Sequence, residues 1–399
     1  MASNMNKLIK LLALVFAFAL IAAACGDSDD DTTDAGSEAG AESSDDETSD
    51  DEMSDDEMSE EHSATPGEGV SLTMARASWS TGYVQAEIYR QMLQELGFEV
   101  SNPSALELDP SLAFLSMAQG EFDFWVNSWY PGHLSWHEND LPDGSKVDDH
   151  VTAVGNQMQA SGLQGFLITK SVAEEHGITS IDQIVADPEL SALFDQDGNG
   201  VADIYGCPDS WTCDNIITEM FCQWGWEADQ IQAGYDSMLA EAADRANAGE
   251  PAIVYTWTPS GYITQMIPGD NAMWISVNQE LDDSNCSAQD GGEQWAQPNS
   301  VASIGPERCI ANEAGECRLG WTAADIKVTA NNDFLAANPA AAELFGLVVL
   351  PLIDIALANV EQTAAGDATD EVIQGIAARW IEANRDTVDG WLDAARAAA

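Results

Sequence analysis

Three tryptophans stand in short segments whose neighbours restrict the backbone. The segments are Asn127–His133 around Trp129, Cys207–Cys213 around Trp211, and Tyr255–Pro259 around Trp257. Proline, glycine or a pair of cysteines flanks each indole, which is a costly way to arrange an ordinary core residue. Any single tryptophan among the 13 of this chain is more commonly a core residue. Converging aromatic faces, however, hold a cation that has no hydrogen-bond donors, each contributing about 0.5–2 kcal/mol. The three segments together predict a quaternary ammonium site.

The opening of the chain predicts the elements that position the first of these segments. Strand-like and helix-like patterns alternate from Ser71, and a glycine ends each helix. A β-α-β-α-β unit binds ligands at the carboxyl ends of its strands, and Asn127–His133 falls at that edge. The predicted strands are Ser71–Ser78, Phe98–Val100 and Phe122–Val126, and the predicted helices are Gln85–Leu96 and Ser111–Gln119.

The rest of the chain predicts a second α/β unit, because about 330 residues exceed what one core usually covers. We expect residues 70–157 plus 299–399 to form the first lobe and residues 158–298 to form the second. The features behind this expectation are strands at Phe166–Thr169, Ile253–Thr256 and Ile326–Thr329, an irregular insertion at Asn278–Arg318, and helices from Asn338 with a break at Pro351.

The N-terminus has the pattern of a bacterial export signal. Lys7 and Lys10 precede an apolar run, Leu11–Ala24, that is too short to span a bilayer. Small residues precede Cys25, so we expect residues 1–24 to be a signal peptide and Cys25 to be acylated. The alternative is a plain secretory signal with an incidental cysteine. No second transmembrane segment is predicted.

Residues 25–69 predict an acidic tether that holds the folded body away from the membrane. They contain no β-branched aliphatic or aromatic residue with which to build a core. The whole chain has a formal charge of −56, and residues 70–399 alone carry 50 acidic against 11 basic residues, a net −39. This charge argues against a nucleic-acid partner and is compatible with high salt or with a cationic ligand.

Six cysteines remain after Cys25, and outside the cytoplasm an even set indicates disulfides. Six cysteines permit 15 pairings. We favour the local pairs Cys207–Cys213 and Cys309–Cys317, which leave Cys222 for Cys286. The alternative is a zinc site, but the chain has no Cys-x-x-Cys spacing and no cluster of histidines nearby.

A family resemblance becomes specific at these motifs. The three tryptophan segments, together with Phe194–Asp203 and Asn338–Phe345, resemble the periplasmic glycine betaine/proline betaine-binding proteins of ProU-type ABC importers. The likeness runs from about Val70 to the C-terminus and keeps the order of the motifs. It implies a two-lobed α/β periplasmic-binding fold of type II, with the ligand in the cleft between lobes that close on a hinge. It also implies a monomer that works with an ABC permease and its ATPase subunits.

The resemblance assigns both ends of the ligand. It places Trp129, Trp211 and Trp257 around the trimethylammonium group, and His133 with the backbone amides of Thr212 and Cys213 on the carboxylate. A zwitterion needs such an aromatic box at one end and a few donors at the other. One position departs from the family, which often has glycine where this chain has Thr212. The threonine would either narrow the carboxylate pocket or add a hydroxyl donor.

Other interpretations remain open at this point. A choline or carnitine binder of the same fold would use the donors differently, since free choline has no carboxylate. A secreted hydrolase is disfavoured, because the chain has neither a G-x-S-x-G elbow nor an H-E-x-x-H pair. A calcium-stabilised surface module would use Asp195–Gly206, which begins like a calcium loop but ends without the bidentate carboxylate. A turn rich in Asp and Asn fits that segment better, and we expect no cofactor, no metal and no catalysis.

Overall fold

The computed structural model describes residues 63–290, 292–366 and 368–399. The predicted signal peptide, Cys25 and residues 26–62 of the predicted tether lie outside these ranges. The end of the tether differs from the prediction, because residues 64–69 already contact the folded body. The Gly67 N–H donates to the Leu96 carbonyl over 2.9 Å, and Arg396 donates to the Ala64 carbonyl over 3.0 Å. Residues 64–69 therefore belong with the folded body rather than with the predicted tether.

The first lobe has a sheet in which β2 (Met74–Ala77) pairs in parallel with both β4 (Glu107–Leu108) and β5 (Phe124–Tyr130). A second, smaller parallel pair joins β1 (Ser71–Leu72) to β3 (Glu99–Val100). Helices α1 (Tyr83–Glu95) and α2 (Pro110–Ala118) connect these strands. Every residue of β5 is buried, as expected for a strand covered on both faces. The predicted β-α-β-α-β unit is confirmed.

One strand, β6 (Val151–Thr169), runs through both lobes. Its first part pairs antiparallel with β12 (Ala324–Asn331), which also pairs with β5. From Leu163 onwards it pairs with β9 (Ile253–Thr258) of the second lobe. Gly162 lies at the junction, where a Cβ atom would come within 2.5 Å of the Trp129 ring. A continuous strand thus joins the lobes directly beside the first predicted cage residue.

The second lobe extends this sheet. Its further strands are β7 (Ala202–Tyr205), β8 (Ala228–Ile231), β10 (Ala272–Ile275) and β11 (Cys309–Ile310). Strand β9 pairs in parallel with β7, and β7 pairs in parallel with β8, while β10 pairs antiparallel with β6 and parallel with β11. The helices of this lobe are α3 (Lys170–His176), α4 (Ile181–Ala186), α5 (Pro188–Phe194), α6 (Thr212–Trp224) and α7 (Tyr235–Ala248).

The second crossing between the lobes lies later than the predicted boundary at 298/299. Strand β11 pairs with β10 of the second lobe, and Val301 forms a β-bridge with Arg318. The Val277 N–H also donates to the Arg318 carbonyl over 2.9 Å. Residues 299–318 therefore belong with the second lobe, and the chain returns to the first lobe at β12. Their sequence has too little periodicity to indicate this pairing.

The C-terminal part is helical, as predicted. The Pro351 break lies between helix α9, Pro339–Leu347, and helix α10, Leu352–Ala365, which confirms the position expected from the sequence. Within the described residues, no single helix has the length and apolar composition to cross a membrane, and α9 with α10 meet that test only as a pair bent by 97°. The helices are α8 (Asn332–Ala337), α9 (Pro339–Leu347), α10 (Leu352–Ala365), α11 (Asp370–Ala383) and α12 (Arg385–Ala397).

Three disulfides join the six cysteines in the predicted pairs, which excludes the zinc alternative. They are Cys207–Cys213, Cys222–Cys286 and Cys309–Cys317, with Cα atoms 6.0, 5.8 and 6.1 Å apart. The last two pin the insertion Asn278–Arg318. Its described residues are mostly irregular and include a 3-10 helix, Gly292–Trp295, and strand β11.

Candidate functional site

A cleft between the two lobes brings all six sequence-predicted binding residues together. The cleft and the open space at its mouth together measure about 430 Å³. Trp129 and His133 come from the first lobe, and the other four residues come from the second. The cleft is lined by Trp79, Pro110, Trp129, Gly132, His133, Gln164, Trp211, Thr212, Cys213, Ile216, Tyr255 and Trp257.

Trp129 and Trp79 share one hydrogen-bond acceptor in the first lobe. The Nε1–H groups of Trp79 and Trp129 donate to Asn127 Oδ1 over 2.6 and 2.9 Å. The Asn127 amide in turn donates to Gln85 Oε1 over 2.9 Å, so the acceptor is held from behind by α1. Buried polar groups that are fully paired in this way fix the orientation of their partners. Both indoles are therefore preorganised on the wall of the cleft.

Trp211 and Trp257 come from the second lobe and reach across to the first. Trp211 Nε1–H lies 3.0 Å from both Ser78 Oγ and Asp109 Oδ1, which follow β2 and β4. Trp257 Nε1–H donates to Thr81 Oγ1 over 3.0 Å. These bonds join the lobes on either side of the cleft, so the structure is in a closed arrangement.

The aromatic rings pack at steep angles to one another. The Trp211 ring lies 5.3 Å from Trp79 and 5.6 Å from Trp257, with interplanar angles of 71° and 70°. Tyr235 supports Trp211 at 5.6 Å and Trp257 at 4.6 Å from the side of α7. Rings inclined in this way present several faces and edges to one enclosed space. This arrangement suits a compact cation whose charge is surrounded by methyl groups.

His133 is neutral and offers a single donor. It is 3% exposed, and burial, with a smaller contribution from His137, lowers its pKa to about 3. Its Nδ1 accepts a hydrogen bond from the backbone N–H of Trp129 over 3.1 Å. Because a neutral imidazole carries one proton, that proton is on Nε2. His133 can therefore donate one hydrogen bond to an anionic oxygen without bringing a net charge.

Thr212 and Cys213 open α6, where backbone N–H groups have no partner within the helix. Trp211 is the residue before the first turn, and it makes no side-chain cap hydrogen bond. The disulfide from Cys213 to Cys207 ties this turn to the end of β7. The positive end of the helix dipole reinforces these donors toward an anion. The Thr212 hydroxyl itself is engaged, since it accepts from Trp136 Nε1–H over 2.8 Å.

No Asp, Glu, Lys or Arg is among the described residues that line the cleft. Asp109 lies just outside, where it accepts hydrogen bonds from Trp211 and Ser78. A single charge would be costly to desolvate in such a space without a partner. The cleft combines a strongly aromatic wall with neutral donors, which is the chemistry of a zwitterion site.

Sequence reasoning missed Trp79, Gln164 and Tyr255 as lining residues. Trp79 is 6% exposed and lies two residues after the end of strand β2, at the sheet edge where the other residues of the first lobe converge. Its position just after a predicted strand was the signal that could have identified Trp79 as a lining residue. Gln164 lies on β6 opposite Trp257 of β9, and its Oε1 accepts from the Tyr255 hydroxyl over 2.6 Å. These pairings become apparent only when the strands are aligned.

The segment compared with a calcium loop forms the predicted turn. Asp195 accepts backbone N–H groups from Gly198, Asn199 and Gly200 over 2.7, 3.2 and 2.8 Å. These bonds lower the pKa of Asp195 below its ordinary value. Oxygen atoms of Asp195, Asp197 and Asp203 lie within 4.8 Å of one another. None of these residues lines the cleft, and the backbone bonds to Asp195 hold the turn together.

Comparison with known families gives a match over most of the chain. A model described as the substrate binding domain of ABC-type glycine betaine transport systems matches residues 70–383. The chain belongs to this family. Within it, the glycine betaine-binding periplasmic protein OusX of Dickeya dadantii (strain 3937) is 30% identical over 336 residues, covering 84% of this chain and 92% of that protein. The glycine betaine/proline betaine-binding periplasmic protein of Escherichia coli (strain K12) is 29% identical over 335 residues, with the same coverage.

Solved structures support the same fold for this family member. Lactococcal OpuAC, closed around glycine betaine, superposes with a TM-score of 0.55 at 13% identity over 81% of this chain and 99% of that one. An ABC-transporter choline binding protein in complex with choline gives 0.56 at 14% identity over 82% and 96%. At such identities the likeness concerns the fold alone. The predicted two-lobed α/β periplasmic-binding fold is confirmed.

Proposed function

We propose that this protein captures glycine betaine or proline betaine in its interlobe cleft and delivers it to an ABC permease. The observation that carries the proposal is the composition of the cleft: four indoles, neutral donors and no charged side chain among the described lining residues. Trp129, Trp211 and Trp257 would surround the ammonium methyl groups. His133 Nε2–H and the Thr212 and Cys213 amides would hold the carboxylate.

The donors favour a zwitterion over choline. An anionic oxygen accepts charge-assisted hydrogen bonds, which are roughly twice as strong as neutral ones. Choline has no carboxylate, so its binding would leave buried donors unpaired at about 1–3 kcal/mol each. The aromatic wall alone does not distinguish glycine betaine from choline, because both carry the same trimethylammonium group. We therefore place the betaines before choline.

The proposal includes a location outside the cytoplasm, with Cys25 acylated and the acidic segment as a tether. The sequence pattern at residues 1–25 and the periplasmic relatives support it. Lipid anchoring predicts that cells expressing the full chain incorporate a clickable palmitate analogue into it, and that Cys25→Ser abolishes this label. A processed chain without label would overturn the anchor. The proposal also includes that the protein is a monomer and has no catalytic activity.

Isothermal titration calorimetry with glycine betaine, proline betaine, carnitine and choline tests the proposed ligand. We expect the betaines to bind most tightly. Trp211→Ala should weaken glycine betaine binding at least tenfold, equivalent to about 1.4 kcal/mol, because one aromatic face is lost. Trp211→Phe keeps an aromatic face but removes the N–H that bonds to Ser78 and Asp109, and it separates the two contributions.

Trp224→Ala is a matched control for Trp211→Ala. Trp224 ends the same helix, α6, that begins beside the cleft, and it is only partly buried. Its removal should leave the affinity within about twofold of wild type. Binding of none of the four ligands to the folded protein would refute the cage, and choline as the tightest ligand would refute the carboxylate site.

A further inference from the structure

Thr212 forms a hydrogen bond across the cleft. Trp136 Nε1–H of the first lobe donates to Thr212 Oγ1 of the second lobe over 2.8 Å. Trp136 lies in the 3-10 helix Gly132–Glu138, which also carries His133. Thr212 is the first residue of α6. The bond therefore connects the two elements that provide the carboxylate donors.

The methyl group of Thr212 lies beside Gly132 of the same 3-10 helix. A Cβ atom added to Gly132 would come 3.4 Å from Thr212 Cγ2, so the missing side chain leaves space next to the methyl group. A β-branched side chain has few accessible χ1 rotamers, and the hydrogen bond to Trp136 favours the one seen here.

The cysteine-rich insertion supports Trp136 from the other side. The Trp295 ring packs edge-to-face on Trp136, with centroids 6.2 Å apart at 78°. Trp295 is 1% exposed, and its Nε1–H donates to the Asp290 carbonyl over 3.0 Å. The insertion thereby reaches the first lobe at the residue that holds Thr212.

The same insertion is anchored to α6. Cys286 is bonded to Cys222, near the end of the helix. The Glu219 carboxylate accepts the Cys286 N–H and, over 3.0 Å, the Ser287 N–H. The insertion therefore contacts both α6 and Trp136 and links the two.

We propose that Trp136 is a positioning residue for the carboxylate end of the ligand, and that the insertion serves this role by holding Trp136 through Trp295. The inference rests on the proposed function. The hydrogen bond to Thr212 sets the position of the Thr212 and Cys213 amides relative to His133. Donors displaced from the carboxylate lose much of a directional bond, whereas aromatic faces tolerate small shifts. Trp136 therefore contributes to selectivity for ligands with a carboxylate.

Calorimetry with glycine betaine and displacement assays with choline test this role. Thr212→Val keeps the shape of the side chain but removes the acceptor, and Trp136→Phe removes the donor. We expect each to weaken glycine betaine binding about three- to tenfold, and the double variant to be no weaker than either single one. Thr212→Ser should recover most of the loss, because it restores the hydroxyl. Choline affinity should change by less than about twofold.

Trp295→Leu tests the part assigned to the insertion, and it should reduce the betaine preference in the same direction but less strongly. Equal loss of both ligands would mean that the bond only stabilises the closed form, and would overturn the positioning role. Unchanged betaine affinity in Thr212→Val would overturn the positioning role of Trp136. Unchanged affinity in Trp295→Leu would overturn the role of the insertion. Thermal unfolding confirms that each variant is folded. A wild-type protein that fails to bind betaine would refute the proposed function instead.

Discussion

At the scale of single residues, Trp79 adds a fourth indole to the cleft. Its ring lies 5.3 Å from Trp211, and its N–H shares the Asn127 oxygen with Trp129. A shared acceptor couples the two indoles, because Asn127 cannot move toward one without leaving the other. Trp79 thus lines the cleft beside Trp211 and is held by the same acceptor as Trp129.

Trp79→Leu should weaken glycine betaine binding about tenfold, since a leucine of similar apolar character has no π-face for the cation. The variant widens the box, so the relative affinity for the triethylammonium analogue of glycine betaine should rise. Calorimetry with both ligands measures this ratio. Trp79→Phe, which keeps an aromatic face, is the matched control and should lose less. An unchanged affinity in a folded Trp79→Leu protein would show that Trp79 only supports Trp211.

The individual residues were partly predictable. The three tryptophan segments could be predicted because glycine, proline or cysteine beside each indole restricts the backbone, whereas His133, Thr212 and Cys213 were assigned through the family resemblance. Trp79 has only serines as direct neighbours in Ser78-Trp79-Ser80, so local sequence gave no such mark. Its role depends on contacts 48 and 132 residues away along the chain, with Asn127 and Trp211. Such contacts are a property of the folded sheet edge.

At the scale of elements, Trp129 and Trp257 lie within strands, although the predicted strands end before them. Strand β5 continues to Tyr130 and β9 to Thr258, beyond the expected ends at Val126 and Thr256. The polar residues that suggested an end are paired inside the protein. Ser128, for example, forms a hydrogen bond of 2.7 Å with Thr329 of β12. Buried polar pairs extend a strand without an apolar signal.

Strand β6 shows the same limit more clearly. Only Phe166–Thr169 was predicted, yet the strand begins at Val151. Its earlier part is polar, half exposed, and broken by register shifts where it pairs with β12. Hydrophobic periodicity does not detect such a segment.

The disulfide pairs were easier to predict than this strand, because short cysteine spacings restrict the pairing before any fold is known.

At the scale of the whole molecule, the excess of acidic residues opposes compaction. Residues 70–399 carry a net charge of −39, and most of their ion pairs lie at the surface, such as Arg385 with Glu95. Exposed pairs contribute only about 0–1 kcal/mol each. Repulsion among the unpaired acids acts over the whole surface and outweighs these pairs at low salt. A neutral zwitterion is not repelled by this surface, whereas free anions are.

The thermal midpoint of the ligand-free protein should therefore rise with NaCl by at least about 3 °C between 10 and 300 mM. The screening length falls from about 30 Å at 10 mM to about 8 Å at 150 mM, so most of the rise belongs to this range and then levels off. Differential scanning calorimetry at each salt concentration measures it. Sucrose of equal osmolality is the control, because it stabilises through exclusion and gives no such plateau. A midpoint that stays constant or falls would mean that the surface ion pairs outweigh the net repulsion.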